Sequence, residues 1–377
     1  MKYGYHTQIR EGVRAYVPHS LWDYGLELEG FVKPLSEADR AIAKLDVVTE
    51  LLPNPDLFVK MYVRKEAVLS AQIEGTQASM TDLVDMEAGA EKREKRDDLQ
   101  EISNYMRGLE HGISRLNDLP ICTRLIREIH GLVLDGARGE NRNPGTLRST
   151  QNWIGTGGGP EDAAFVPPPP QRVAELMSDL ERFIHQDDRY PILLRAALVH
   201  QQFETIHPFL DGNGRVGRLI VTLMLIANDD LHQPILYLSD FFKRNRPEYY
   251  RRLQGIRDRD ELAEWVRFFL RGVRDVATDG AQTALEIQRL REEHRDLISS
   301  ELGGRAANGH ILLDGLFQTP AVTVNDVADI VGSSYPAANN LVEGFERLGI
   351  LEEKTGQSRN RRYHYEDYLN IFGALEP

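Results

Sequence analysis

His207-Pro208-Phe209-Leu210-Asp211-Gly212-Asn213-Gly214-Arg215-Val216-Gly217-Arg218 is followed directly by an apolar run, Leu219 to Ala227. The apolar run reads as a core helix, too short to span a bilayer. The twelve residues before it read as the loop that feeds that helix. His207 is the side chain best suited to take a proton near neutral pH. Asp211 offers the hard oxygen that Mg²⁺ prefers. Gly212-Asn213-Gly214 permits a tight turn whose backbone N–H groups converge on one anion. A helix beginning there adds its positive end to the same field. Arg215 and Arg218, three apart, share a face and can both reach phosphate oxygens. A histidine before proline is commonly structural, and DGNG alone is commonly a turn. The joint occurrence of base, metal ligand, anion nest and two arginines describes a nucleotide-phosphate site.

Working outward, the chain has 377 residues, which favours two or three domains over one core. It is 41% hydrophobic and 27% charged, an ordinary soluble composition. The net charge of −13 favours solubility and repels bulk nucleic acid. One cysteine, Cys122, excludes an intrachain disulfide and reads as a small buried apolar side chain. The first twenty residues hold no apolar stretch suited to a signal peptide, so a cytoplasmic protein with no membrane segment is expected.

Pro18, Pro34, Pro53 and Pro55 predict an irregular region over residues 1–55. From Asp56 a helical pattern runs to about residue 75, with Leu57, Met61, Val68 and Ile73 on its apolar positions, Asp56 as cap and Gly75 as stop. Residues 91–98 (EKREKRDD) read as a solvated connector. Helical periodicity resumes at Leu99 and at Leu119 to Leu134. The Gly- and Pro-rich segment that follows has short apolar stretches at Trp153–Ile154 and Phe165–Val166, which suits a hairpin or flap. Helices are expected at 171–186, at 191–204 and after Asp211, with a long polar helix over about 275–302.

HPFLDGNGRVGR resembles the Fic family motif, HPFx(D/E)GNGRxxR, at every specified position. The resemblance runs from about residue 99 to 272, through FETIHPF, PILYLS and EYYRRL. It implies a mainly α fold, a Fic-type helical core with a short β-hairpin flap, and ATP and Mg²⁺ as ligands. It also implies roles. His207 would deprotonate a hydroxyl on a target protein, and Asp211 would hold Mg²⁺. Gly212, Asn213 and Gly214 would form the anion hole, with Val216 and Gly217 beside them. Arg215 and Arg218 would grip the distal phosphates. The outcome would be transfer of AMP from ATP to a Ser, Thr or Tyr hydroxyl, self-modification included. Family kinases carry a lysine-containing variant of this loop, which is not the pattern here. Ile154 and Gly155 would meet the target as an added strand. Tyr249 and Tyr250 match a tyrosine pair near the adenine, although core aromatics explain them equally well.

Ser70-Ala71-Gln72-Ile73-Glu74-Gly75 fits the family's inhibitory pattern, (S/T)xxxE(G/N). Ser70 and Glu74 share a helical face, and Glu74 is expected to pair with Arg218 in the γ-phosphate position. The same pattern occurs at Thr7 to Gly12, read as a coincidence. Residues 305–377 resemble a winged helix-turn-helix, with short helices at about 308–317, 323–331 and 334–348. Arg359, Arg361 and Arg362 lie on its wing, where phosphate contact is plausible. This segment holds six basic and ten acidic side chains, a net −4. That balance favours protein interaction or a homodimer over DNA. The organisation expected is residues 1–98 with the inhibitory helix, a core over 99–273, a linker helix over 274–304 and the module over 305–377. The competing readings are a nucleotide-sensing DNA-binding regulator, transfer of a different nucleotide, and removal of AMP by the same site.

Overall fold

A computed structural model describes residues 2–52, 55–90, 93–136, 142–155, 159–186, 189–357 and 361–373. The region 1–55, expected to be irregular, holds regular elements among its described residues. Gly4–Arg10 (β1) and Val13–Pro18 (β2) form an antiparallel hairpin, and Val32–Glu50 is a helix, α1. Proline was misread here for a positional reason. Pro18 ends its strand, and Pro34 lies in the first turn of α1, where its missing N–H would have no helical partner. The Thr7–Gly12 copy of the inhibitory pattern lies on this hairpin, with Gly12 at φ 74°, and so is not on a helix.

The remaining helices, in chain order, are α2 (Pro55–Ile73), α3 (Met80–Glu87), α4 (Arg96–Arg115), α5 (Thr123–Val133), α6 (Pro170–Gln186), α7 (Ile192–Ile206), α8 (Asn213–Ala227), α9 (Leu238–Arg244), α10 (Arg246–Arg259) and α11 (Leu262–Glu301). Helix α8 is the hub, as its sequence demands. Arg215 through Leu225 are all buried, so no polar face remains for solvent. Helix α4 approaches it closely because Gly108 and Gly112 lack side chains. A Cβ at Gly112 would sit 3.0 Å from Leu223 and 3.1 Å from Ile129 of α5. Full burial of a leucine such as Leu223 contributes about 2 kcal/mol, and Gly112→Val would cost about 1–3 kcal/mol by overpacking. Cys122 is buried, as expected.

The connector expected over 91–98 is also corrected. Its first two residues lie outside the described residues, but Arg96 to Asp98 open α4, and Asp98 is buried and accepts from the Gln77 N–H at 2.7 Å. The mixed charges had hidden a helix start with acids in its first turn. The linker helix begins earlier than expected. α11 is one 40-residue helix, about 60 Å long at 1.5 Å per residue. Its small residues Ala277, Gly280, Ala281 and Ala284 let α1 and α2 lie against it. A Cβ at Gly280 would meet Leu45 of α1 and Tyr62 of α2.

The far end of α11 carries α12 (Ala306–Leu316), β3 (Ala321–Thr323), α13 (Val324–Val331), α14 (Tyr335–Arg347), β4 (Glu352–Glu353), β5 (Arg362–His364) and α15 (Glu366–Ile371). The short helices fall where the sequence places them. Thr323 and Asp326 form a capping box on α13, and Gly332 at φ 63° ends it. The sheet order is β3-β5-β4. Arg359 lies outside the described residues. This end of the molecule packs on the second and third helices: His364 Nε2 meets Asp85 of α3 at 2.8 Å, and Arg64 of α2 donates to the Gln318 carbonyl at 3.2 Å. Among the described residues, no helix is long and apolar enough to cross a membrane.

Candidate active site

Helix α7 ends at His207, whose backbone is left-handed (φ 49°, ψ 61°). This turn reverses the chain into the loop before α8, and it is held from three sides. Arg148, buried at the head of the flap segment, donates from Nε to the His207 carbonyl at 2.8 Å and from Nη2 to the Ile206 and Pro168 carbonyls at 3.2 and 2.6 Å. Asn213 braces the loop from inside. Its Oδ1 accepts from the Phe209 N–H and its Nδ2 donates to the Phe209 carbonyl, both at 2.9 Å. His130 of α5 stacks on Phe209, ring centroids 3.7 Å apart. The Gly145 N–H donates to His130 Nδ1 at 2.8 Å, so Nε2 carries the proton and donates to the Asp211 carbonyl at 3.1 Å.

Burial pushes the His207 imidazole down to about 3, and the nearby Arg148 and Arg257 guanidinium groups add to that. The Glu204 carbonyl opposes the shift without reaching hydrogen-bond geometry, and Nδ1 is left buried without a partner. The ring is therefore neutral near pH 7, the form a general base needs.

Asp211 is half exposed, at 49% of its side chain. Its Oδ1 accepts from the Gly212 N–H at 2.6 Å and lies 3.6 Å from Arg215. The other oxygen has no partner among the described residues. An open carboxylate beside a helix N-terminus fits a hard cation such as Mg²⁺. Arg215 is buried, 3.5 Å from Glu101, with Nε unpartnered. Gly212 adopts φ 73°, which favours glycine.

Arg218 is almost wholly enclosed. Its Nε donates to Ser70 Oγ at 2.8 Å, and its Nη2 donates to the Ser70 carbonyl at 3.0 Å and to Glu74 Oε1 at 2.9 Å. Burial favours the neutral guanidine, but Glu74 and the flanking tyrosines outweigh it, so the charge is held more firmly than usual. Glu74 follows the last residue of α2, and Gly75 at φ 110° turns the chain away. The Glu74 carboxylate rests on Gly214, where an added Cβ would collide with it.

Other expected residues are distributed differently. Val216 is fully buried in the core. Gly217 packs on α7, where a Cβ would sit 2.8 Å from Glu204 Oε1. Tyr249 is buried, stacked on Phe242, and its hydroxyl donates to His200 Nε2 at 2.9 Å while His200 Nδ1 donates to the Gly217 carbonyl at 3.2 Å. It acts on α8 through His200. Tyr250 is 42% exposed beside Arg246. Ile154 and Phe165 exchange two backbone bonds, 2.8 and 3.1 Å, in a single bridge where a short hairpin flap was expected. Sequence reasoning missed Arg148, His130 and His200. An arginine in a loop and two histidines on apolar helical faces carry no spacing signal of their own.

A neutral histidine, an open carboxylate and two buried arginines around one helix N-terminus form a class of site suited to phosphate groups, on a mainly helical scaffold. Residues 32–114 match the Fic/DOC family N-terminal model, and residues 120–225 match the Fic/DOC family model. The chain therefore carries a Fic/DOC family N-terminal domain and a Fic domain. It is 33% identical over 101 residues to a protein named "Probable protein adenylyltransferase" from Aquifex aeolicus, covering 27% of this chain and 28% of that one. It is 29% identical over 145 residues to the Caenorhabditis elegans protein adenylyltransferase fic-1, covering 38% and 25%. The chain thus spans under a third of the length of these curated relatives. A crystal structure of a Fic family protein from Desulfovibrio desulfuricans G20 has the same fold, with TM-score 0.61 and 22% identity, over 91% of this chain and 97% of that one.

Proposed function

We infer that this chain is a protein adenylyltransferase, moving AMP from ATP to a hydroxyl of a target protein, and that Glu74 holds it back. The observation that carries the reading is a neutral His207 at the mouth of an anion-binding helix start that also holds Arg215 and Arg218. His207 takes the proton from the attacking hydroxyl. The N–H groups of Asn213 and Gly214 face the phosphate under attack, the Gly212 N–H being held by Asp211, and Arg215 and Arg218 neutralise the departing pyrophosphate. Asp211 would hold Mg²⁺, which supplies charge neutralisation on the phosphates. Positioning and electrostatics then account for most of the rate.

Glu74 occupies Arg218, the arginine that would otherwise meet the γ-phosphate. ATP bound beside it lacks that anchor and sits badly for in-line attack. The acceptor segment adds to the flap edge near Ile154 and Gly155. Incubation of Glu74→Gly protein with Mg²⁺ and each nucleoside triphosphate, read by intact mass, tests the assignment. An added AMP supports it; another nucleotide corrects the donor, and no adduct with any donor overturns it. Loss of AMP from isolated modified protein on adding wild type would identify AMP removal at the same site.

The segment over 305–377 is a winged helix-turn-helix in this reading, with α13 and α14 as its helix pair and β4–β5 as its wing. Glu343 and Glu346 on α14, and its net acidity, favour a protein partner or a second copy of the chain over DNA. Nanomolar binding of random-sequence duplex with a steep salt dependence would reverse that preference.

A further inference from the structure

The β1–β2 hairpin precedes both segments matched to the family, which begin at residue 32. It nonetheless continues the flap. In an antiparallel pair, backbone groups of successive residues point to opposite edges. Phe165 turns its groups toward Ile154, with bonds of 2.8 and 3.1 Å, and Val166 turns its carbonyl the other way, accepting from the Tyr16 N–H of β2 at 2.9 Å. One bond thus joins β2 to Val166, and the Ile154–Phe165 bridge lies on the other side of that segment. Val13, Ala15 and Val166 form a small core of their own, with Ile9 and Ala163 packed on it. Arg10 pairs with Glu161 across the same junction. On the opposite side, the Arg257 guanidinium lies 3.6 Å from the Phe165 ring and reaches the Glu204 carbonyl of α7 at 3.4 Å.

On either side of Ile154 in the chain stand Trp153 and Gly155, the latter turned at φ 140°. Among the described residues, no backbone bond reaches either. Asn152 Nδ2 donates to the Phe209 carbonyl at 3.0 Å, tying this edge to the loop that bears His207. We propose that the β1–β2 hairpin is the backing strand pair of the flap, fixing the Trp153–Gly155 edge beside the loop that bears His207 for an extended segment of the acceptor polypeptide. The proposal rests on the adenylyl-transfer reading for the identity of that segment and on geometry alone for the backing. A lone two-stranded ribbon is marginal in water, whereas a third and fourth strand with a buried face hold it. Edge addition needs a rigid template, because ordering a loose one subtracts from affinity.

The test uses the full chain in the Glu74→Gly background. Val13→Asn places an amide in the small core, and Arg10→Glu reverses the surface pair, which Arg10→Glu/Glu161→Arg restores. Hydrogen exchange of the flap amides at Ile154 and Phe165 is read beside exchange in α8, affinity for Mg²⁺-ATP and the rate of self-labelling. Val13→Asn is expected to speed flap exchange about tenfold and slow labelling by a similar factor, with α8 exchange and ATP affinity unchanged. Arg10→Glu is expected to give about a two- to fivefold acceleration that the double variant reverses. Unchanged flap exchange in both variants, or unchanged labelling despite faster exchange, overturns the proposal. If the Glu74→Gly parent does not label at all, the transfer reading fails separately, and the exchange results still decide whether the hairpin holds the flap.

Discussion

Glu74 Oε1 and Arg218 Nη2 stand 2.9 Å apart, joining residues 144 positions distant in the chain. The contact places the carboxylate against Gly214, at the start of the helix whose field would otherwise face phosphate. In the proposed function its consequence is steric and electrostatic together: the carboxylate would occupy part of the anion site.

Glu74→Gly should therefore raise the rate of AMP transfer. A hydrogen bond between charged groups contributes about 1.5–3 kcal/mol, so release of Arg218 corresponds to roughly a ten- to hundredfold gain. Initial rates with α-³²P-labelled ATP measure it. Equal rates in the two proteins would remove the brake from the account.

His207→Ala in the same background should lose about 10²- to 10⁴-fold in rate, the range for a positioned general base. ATP affinity should stay within a few fold, since the ring takes a proton rather than a phosphate. Calorimetric titration with Mg²⁺-ATP separates the two effects.

The His207 ring should show no titration between pH 5 and 8. Its value is depressed to about 3, so the neutral form persists as pH falls well below the usual histidine range. By linkage, the stability associated with that depression is fully present above about pH 6.5 and is lost as pH falls toward 3. Chemical shifts of the ring protons in free protein check this. An inflection near 6.5 would show that the ring is not desolvated.

Arg148→Ala should cost stability and activity together. The side chain caps the end of α7 through the Ile206 and His207 carbonyls and holds Pro168 of the flap. Loss of such buried, charge-assisted bonds costs about 2–4 kcal/mol. Thermal unfolding should drop accordingly. Arg148→Lys should recover part of the stability but not the rate, because a single ammonium cannot span carbonyls on both α7 and the flap.

Much of this site is legible in sequence because it is local. His207, Asp211, the glycine turn and the two arginines fall within one loop and one helical turn, so spacing alone brings them together. Glu74 required a second pattern at the end of a recognisable helix, and the structure joins it to Arg218. What stayed hidden is non-local or ambiguous by period. Arg148 acts on carbonyls about 60 residues away, and no local rule points to it. Tyr249 looked like a choice between core and ligand site; its hydroxyl instead reaches α8 through His200. The N-terminal hairpin was obscured by prolines, whose meaning depends on position: Pro34 breaks nothing because it sits in a first helical turn. Asp98, counted among solvated charges, is buried at the start of α4 because the Gln77 N–H needs an acceptor.

The most direct test is intact mass spectrometry of Glu74→Gly protein incubated with Mg²⁺ and ATP, beside the Glu74→Gly/His207→Ala double variant. The account predicts covalent AMP on the first and none on the second. An unmodified first protein, or AMP on both, would contradict it.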